Sequence, residues 1–82
     1  MVTVRRANGL RVVIYPNDHL PEHVHVIQAE KEAVFNLNCP GGPPELRENY
    51  GFSPQDVRRI RTILAAEVER LCERWRAIHD AT

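Results

Sequence analysis

Apolar and polar residues alternate along the first half of the chain and then change period. Val2 to Arg6 and Leu10 to Tyr15 are β-rich runs, and the Asn8-Gly9 pair between them is a strong hairpin signal because both residues tolerate positive φ. Pro16-Asn17-Asp18 stops the second run, since proline cannot donate to a ladder and Asn and Asp favour turns. His23 to Ala29 and Glu32 to Asn38 alternate again and predict a second hairpin about Glu30-Lys31. That turn sets His25 opposite Asn36 and His23 opposite Asn38, with Val24 facing Leu37 and Val26 facing Phe35, so one face is polar and the other is core. Residues 39–52 begin with Cys39-Pro40-Gly41-Gly42-Pro43-Pro44 and read as a loop. Ser53-Pro54-Gln55-Asp56 reads as a helix start, with Ser53 as N-cap, Pro54 at the first helical position and Asp56 as the acidic member of a capping-box-like pair. Val57, Ile60, Leu64, Val68, Leu71, Trp75 and Ile78 then recur at three- and four-residue steps. That period predicts a helix over 54–79 whose apolar stripe holds one face for about seven turns.

These elements predict an α+β domain spanning the chain. Its antiparallel sheet has about four strands, 2–6, 10–15, 23–29 and 32–38, in two hairpins, covered on one face by a single long C-terminal helix. At 82 residues the chain has room for one thin core and about one site. A single helix covers only one face of the sheet. The other carries His23, His25, Ile27, Val34 and Asn36, with either Val13 and Tyr15 or Val12 and Ile14. It is expected to stay partly apolar and open, as a docking surface for a companion protein or a second copy of the chain. The alternative is that the Pro/Gly-rich loop folds back over it.

Eleven basic and eleven acidic residues give a net charge of zero. That balance excludes the long-range field of a strongly cationic nucleic-acid binder and leaves nucleic acid only a local patch. Arg58, Arg59, Arg70, Arg74 and Arg76 interleave with Glu67, Glu69 and Glu73, as on a solvated, salt-bridged helix surface. No stretch is apolar enough for a signal h-region or a bilayer span. A cytoplasmic protein with no membrane partner is therefore expected. Cys39 and Cys72 form neither a C-x-x-C clip nor a dense disulfide scaffold, and reduced thiols are the expectation.

The chemistry gathers in Asp18-His19-Leu20-Pro21-Glu22-His23-Val24-His25-Val26, which holds three of the four histidines within seven residues. Imidazole titrates near neutrality and is the commonest metal ligand. His23 and His25 lie two apart on a strand and project from one face, the geometry of a strand pair that grips one metal ion. His19 would complete such a site from the loop, with Asp18 or Cys39 as further ligands. These groups are split between loop and strand and form no closed Cys/His tetrad, so neither a metal nor another cofactor is expected to be needed for folding. Against the metal reading, Asn36 and Asn38 across the hairpin can satisfy the imidazoles by hydrogen bonds alone. An enzyme reading makes one of His19, His23 and His25 a general base and another a general acid, with Arg11 or Arg61 stabilising a developing oxyanion, as metal-independent RNA cleavage requires. The plainer reading leaves Arg11 exposed and lays the Arg61 stem along the apolar stripe. Trp75 sits on the stripe's centre line, in the core, where its indole N–H needs an acceptor. Cys72 and His79 flank the stripe and are not read as a site.

The order of the first hairpin, then Tyr15-Pro16-Asn17-Asp18-His19-Leu20-Pro21-Glu22-His23-Val24-His25-Val26, then Glu32-Ala33-Val34-Phe35-Asn36-Leu37, then Gly51-Phe52-Ser53-Pro54 leading into a helix with Trp75 near its end, covers nearly the whole chain. It resembles a bacterial family of small proteins catalogued as domain of unknown function four-one-six-zero. The hallmark of that family looks like an E-H-x-P-P-H-V-H-V segment; here Asp18 stands where Glu is usual and Glu22 replaces the second proline. The resemblance implies a small protein encoded beside another in arrangements similar to toxin and antitoxin pairs. The resulting expectation is a partner-binding or regulatory component of a toxin-antitoxin-like module with a histidine-centred polar site. Its alternative is a small metal-independent ribonuclease-like toxin using the same histidines.

Overall fold

A computed structural model describes residues 1–80. The chain is α+β: an antiparallel sheet of five strands followed by two helices. The strands are β1 (Val2–Ala7), β2 (Leu10–Ile14), β3 (His23–Gln28), β4 (Lys31–Asn36) and β5 (Glu45–Tyr50), and the helices are α1 (Pro54–Ala66) and α2 (Val68–Asp80). Strand order in the sheet follows chain order, so each strand pairs with its sequence neighbours.

The first hairpin forms as the Asn-Gly signal predicts. Asn8 and Gly9 have φ of 51° and 81°, the two positive values that a type I′ turn needs. Near the start of β1 the register shifts between Thr3 and Arg5. The Val4 carbonyl there accepts from Arg70 Nη2 at 3.2 Å, which ties the edge strand to α2. The second hairpin turns one residue earlier than the pattern predicts, at Ala29-Glu30, with Gln28 paired to Lys31 and φ of 52° at Ala29. His23 therefore faces Asn36, His25 faces Val34, Val24 faces Phe35 and Val26 faces Ala33. The slip moves each partner by two residues, an even number, so every side chain keeps its face.

Two expectations fail in the second half of the chain. The predicted loop 39–52 contains β5, which makes the sheet five-stranded. β5 is an edge strand that turns only Leu46 toward the core, so its sequence carries little hydrophobic alternation. Charge lines its exposed side. The Tyr50 phenol donates to Glu48 Oε1 at 2.6 Å, and that bond, helped by the carboxylate's charge, raises its pKa above the usual value. The predicted single helix is two, broken at Glu67. Its N–H bonds back three residues to the Leu64 carbonyl at 3.1 Å, and its carboxylate is held by Arg5 of β1 and by Arg70. Breaking there lets both halves keep their apolar stripe on a twisted sheet. The start of α1 is as read: Ser53 Oγ accepts from the Asp56 N–H at 3.1 Å, and Pro54 opens the helix.

The core lies between one sheet face and the helices. Val12, Ile14, Val24, Val26, Ala33, Phe35 and Leu37 meet Val57, Ile60, Leu64, Val68, Leu71 and Trp75 there. Cys39 and Cys72 are joined in a disulfide with a Cα separation of 5.8 Å, which overturns the expectation of reduced thiols. The bond pins the Pro/Gly-rich segment to α2, and Gly42 sits against Val68. That segment therefore folds toward the helices and away from the histidine face. Trp75 is buried as expected, yet among the described residues its indole N–H has no acceptor; its ring stacks on His79 with centroids 3.5 Å apart.

Candidate functional site

The face without helices is crossed by rows of paired residues. One row runs Thr3, Val13, His25, Val34, Glu48 through all five strands; the next runs Arg6, Arg11, Ile27, Glu32, Tyr50. Val13 is fully buried and Val34 is 5% exposed, so the expectation of open apolar positions fails at both. Val12 and Ile14 belong to the opposite, helix-covered face.

The middle of this face is a histidine–carboxylate network. After β2 the chain turns through Tyr15 to Asp18, where the Asp18 N–H bonds to the Tyr15 carbonyl at 3.0 Å, and re-enters the sheet at His23. The loop brings the Asp18 carboxylate over β3. Its Oδ2 lies 3.0 Å from His23 Nε2 and 3.0 Å from His25 Nε2. The second nitrogen of each ring is also held. His23 Nδ1–H donates to the Pro21 carbonyl at 2.8 Å, and His25 Nδ1–H donates to Glu32 Oε2 at 3.0 Å. The rings lie 5.4 Å apart by centroid, and Tyr15 meets His25 edge-on at 4.6 Å. The side chains of His23 and His25 are 6% and 15% exposed, that of Asp18 24%.

The loop is held on both sides of the sheet. His79 Nε2 contacts the Asp18 carbonyl at 3.0 Å and its Nδ1 contacts the Trp75 carbonyl at 2.8 Å. Arg76 Nη2 reaches Glu22 Oε2 at 3.4 Å. The C-terminal turns of α2 thus grip the segment that carries Asp18, through its backbone at Asp18 and through a side chain at Glu22.

Of the sequence candidates, the fold brings together His23 and His25, with Asp18 as the third group. His19 is exposed and stands outside this group. Cys39 is in the disulfide and cannot ligate. Arg11 shares the histidine face, one row from His25, whereas Arg61 lies half-buried on α1. Asn36 and Asn38 do not satisfy the imidazoles: Asn38 donates to the Pro43 carbonyl at 2.8 Å, and Asn36 Oδ1 is buried without a partner among the described residues. Glu32 and His79 were not among the candidates. Glu32 is diagonal to His25 only in the true register, and His79 reaches the site only through tertiary packing. On the helices, Arg59, Arg70 and Arg76 pair with Asp56, Glu67 and Glu22, as on the salt-bridged surface expected from the sequence. No helix among the described residues is long and apolar enough to cross a membrane.

A family model described as Domain of unknown function (DUF4160) matches residues 9–76, a span that takes in the histidine segment, four of the five strands, all of α1 and most of α2. No curated protein and no solved structure matches the chain.

Proposed function

This chain belongs to the DUF4160 family, and we propose that it is a small cytoplasmic partner-binding or regulatory protein, a component of a toxin-antitoxin-like module, with the histidine–carboxylate network at the centre of its working face. The observation that carries this reading is the state of the imidazoles. A general base needs a lone pair turned toward substrate, yet all four ring nitrogens of His23 and His25 face protein acceptors, and both rings are largely buried. Such a network shapes a surface better than it turns over a substrate. The ribonuclease-like alternative has less to stand on, because Arg61 and His19 are not drawn to the pair. Around the network, Tyr15, Ile27 and Tyr50 offer the mixed aromatic and aliphatic contacts that recognition surfaces use.

The test is co-expression with the protein encoded next to it, followed by size-exclusion chromatography with light scattering. A complex of defined stoichiometry, or a homodimer, is expected. Ile27→Asp with Tyr50→Arg should dissolve it while leaving the melting temperature of the free chain within a few degrees. A monomer under every condition, with RNA cleavage that survives purification to homogeneity, would replace this reading with the ribonuclease one. The Cys39–Cys72 disulfide weighs against the cytoplasmic part of this reading, because such bonds persist mainly in oxidising compartments. Thiol labelling in cells decides, free thiols supporting the placement and a protected disulfide overturning it.

A further inference from the structure

We propose that Asp18, His23 and His25 form a binding site for one borderline divalent transition-metal ion such as zinc. Three ligand atoms, Asp18 Oδ2, His23 Nε2 and His25 Nε2, lie within 4.8 Å of one another, with each nitrogen 3.0 Å from the oxygen. Ligands about 2.1 Å from a shared ion are separated by roughly 3.0 to 3.4 Å, depending on whether the ion is octahedral or tetrahedral. The two nitrogen-to-oxygen distances already fall at the short end of that range.

Hydrogen-bond accounting points the same way. A neutral imidazole has one N–H and one lone pair. His23 directs its Nδ1–H at the Pro21 carbonyl and His25 directs its own at Glu32. The two Nε2 atoms then present lone pairs toward a carboxylate oxygen that is itself an acceptor. Three electron-rich atoms converging on one point need positive charge between them. A dication seated between the two Nε2 atoms and Asp18 Oδ2 supplies it.

The surroundings are those of metal-bound histidines. The nitrogen that does not ligate typically donates to a backbone carbonyl or a carboxylate, which fixes the tautomer and aims the ring. Pro21 and Glu32 fill those two roles here. His79 steadies the third ligand by contacting the Asp18 carbonyl. Next to the pair, the cross-strand neighbour of His23, Asn36, keeps a buried Oδ1 that meets no donor among the described residues. Two imidazoles and one carboxylate select zinc, cobalt, nickel or iron over the hard ions magnesium and calcium. Three protein ligands leave coordination positions open for water or for a group from a partner.

The experiment uses tag-free protein stripped with chelator and titrated with zinc by calorimetry, and with cobalt followed by its visible absorption. One ion per chain is expected, with no response to magnesium. His25→Asn and Asp18→Asn should each weaken zinc binding by at least about 100-fold, and Glu32→Gln by about 10- to 100-fold. His19→Ala, which removes an exposed imidazole outside the group, should leave affinity unchanged. Asp18→Asn keeps the shape of the side chain, so it reports on ligation even where the histidine variant folds poorly. Absence of stoichiometric binding, or binding lost with His19→Ala and retained in Asp18→Asn, would overturn the proposal. Metal binding is read without any partner, so it stands or falls apart from the complex test above.

Discussion

The two faces of the sheet are built from alternate residues of the same strands, yet they are held together by different physics. Val24, Val26 and Phe35 meet the helices through apolar area alone. Such contacts are non-directional and tolerate exchange among residues of similar volume. Their neighbours His23, His25 and Glu32 are held by hydrogen bonds of 2.8 to 3.0 Å. Those bonds depend on direction, so each partner matters individually. One period-two pattern therefore yields a face that specifies stability and a face that specifies chemistry.

The largest effect expected from this contrast is on the helix-covered face. Phe35→Ala should cost about 3 to 5 kcal/mol, because it empties the most voluminous fully buried position. Ile27→Ala, on the histidine face and only half-buried, should cost less than about 1.5 kcal/mol. Equal shifts of the denaturation midpoint for the two variants would erase the distinction. Next comes the disulfide, which belongs wholly to the helix side. Replacing Cys39 and Cys72 together by Ala removes a link across 33 residues. The chain-entropy relation puts that loss at about 3 to 4 kcal/mol, measurable by denaturation of variant and parent without reductant. The same change should leave zinc affinity within a factor of two if the faces are energetically separate.

An effect smaller than the disulfide's is expected where α2 meets the loop that carries Asp18. His79→Ala removes the contact to the Asp18 carbonyl and the stack on Trp75. A loss of about 1 to 2 kcal/mol is expected. Because the Asp18 side chain is held by the other face, the variant should also loosen the loop. Faster amide exchange at Asp18 than at Val26 would register that coupling, and unchanged exchange at Asp18 would show that the histidine side holds the loop unaided.

Most of this arrangement is legible in the residues, for reasons that differ by region. The stripe from Val57 to Trp75 is readable because helical burial repeats at three and four, and every one of its residues from Val57 to Leu71 is buried. The break at Glu67 is not, since the stripe passes through it without losing phase. The shared face of His23 and His25 follows from strand period alone and survives a wrong turn assignment. Glu32 does not, because its place beside His25 depends on the turn falling at Ala29-Glu30, and Ala29 carries no sequence signal for a positive φ. β5 is hidden by its single inward residue, and the disulfide by a spacing that no local rule reads. The charge-balanced helix surface needed only the interleaving of Arg and Glu to be seen.

The meander also sets the order in which a growing chain finds its partners. Strands that are neighbours in sequence pair through short, local loops, so β1 to β4 can zip together as they emerge. The residues that cover the sheet come last, with Leu71 and Trp75 made long after Val12 and Val24. During synthesis the nascent sheet therefore shows a bare apolar face until α2 leaves the ribosome. That interval is when this chain is most exposed to aggregation and most in need of a holdase. Slowing translation between Glu67 and Trp75 should lower soluble yield more than the same pause placed between Asn8 and Ile14.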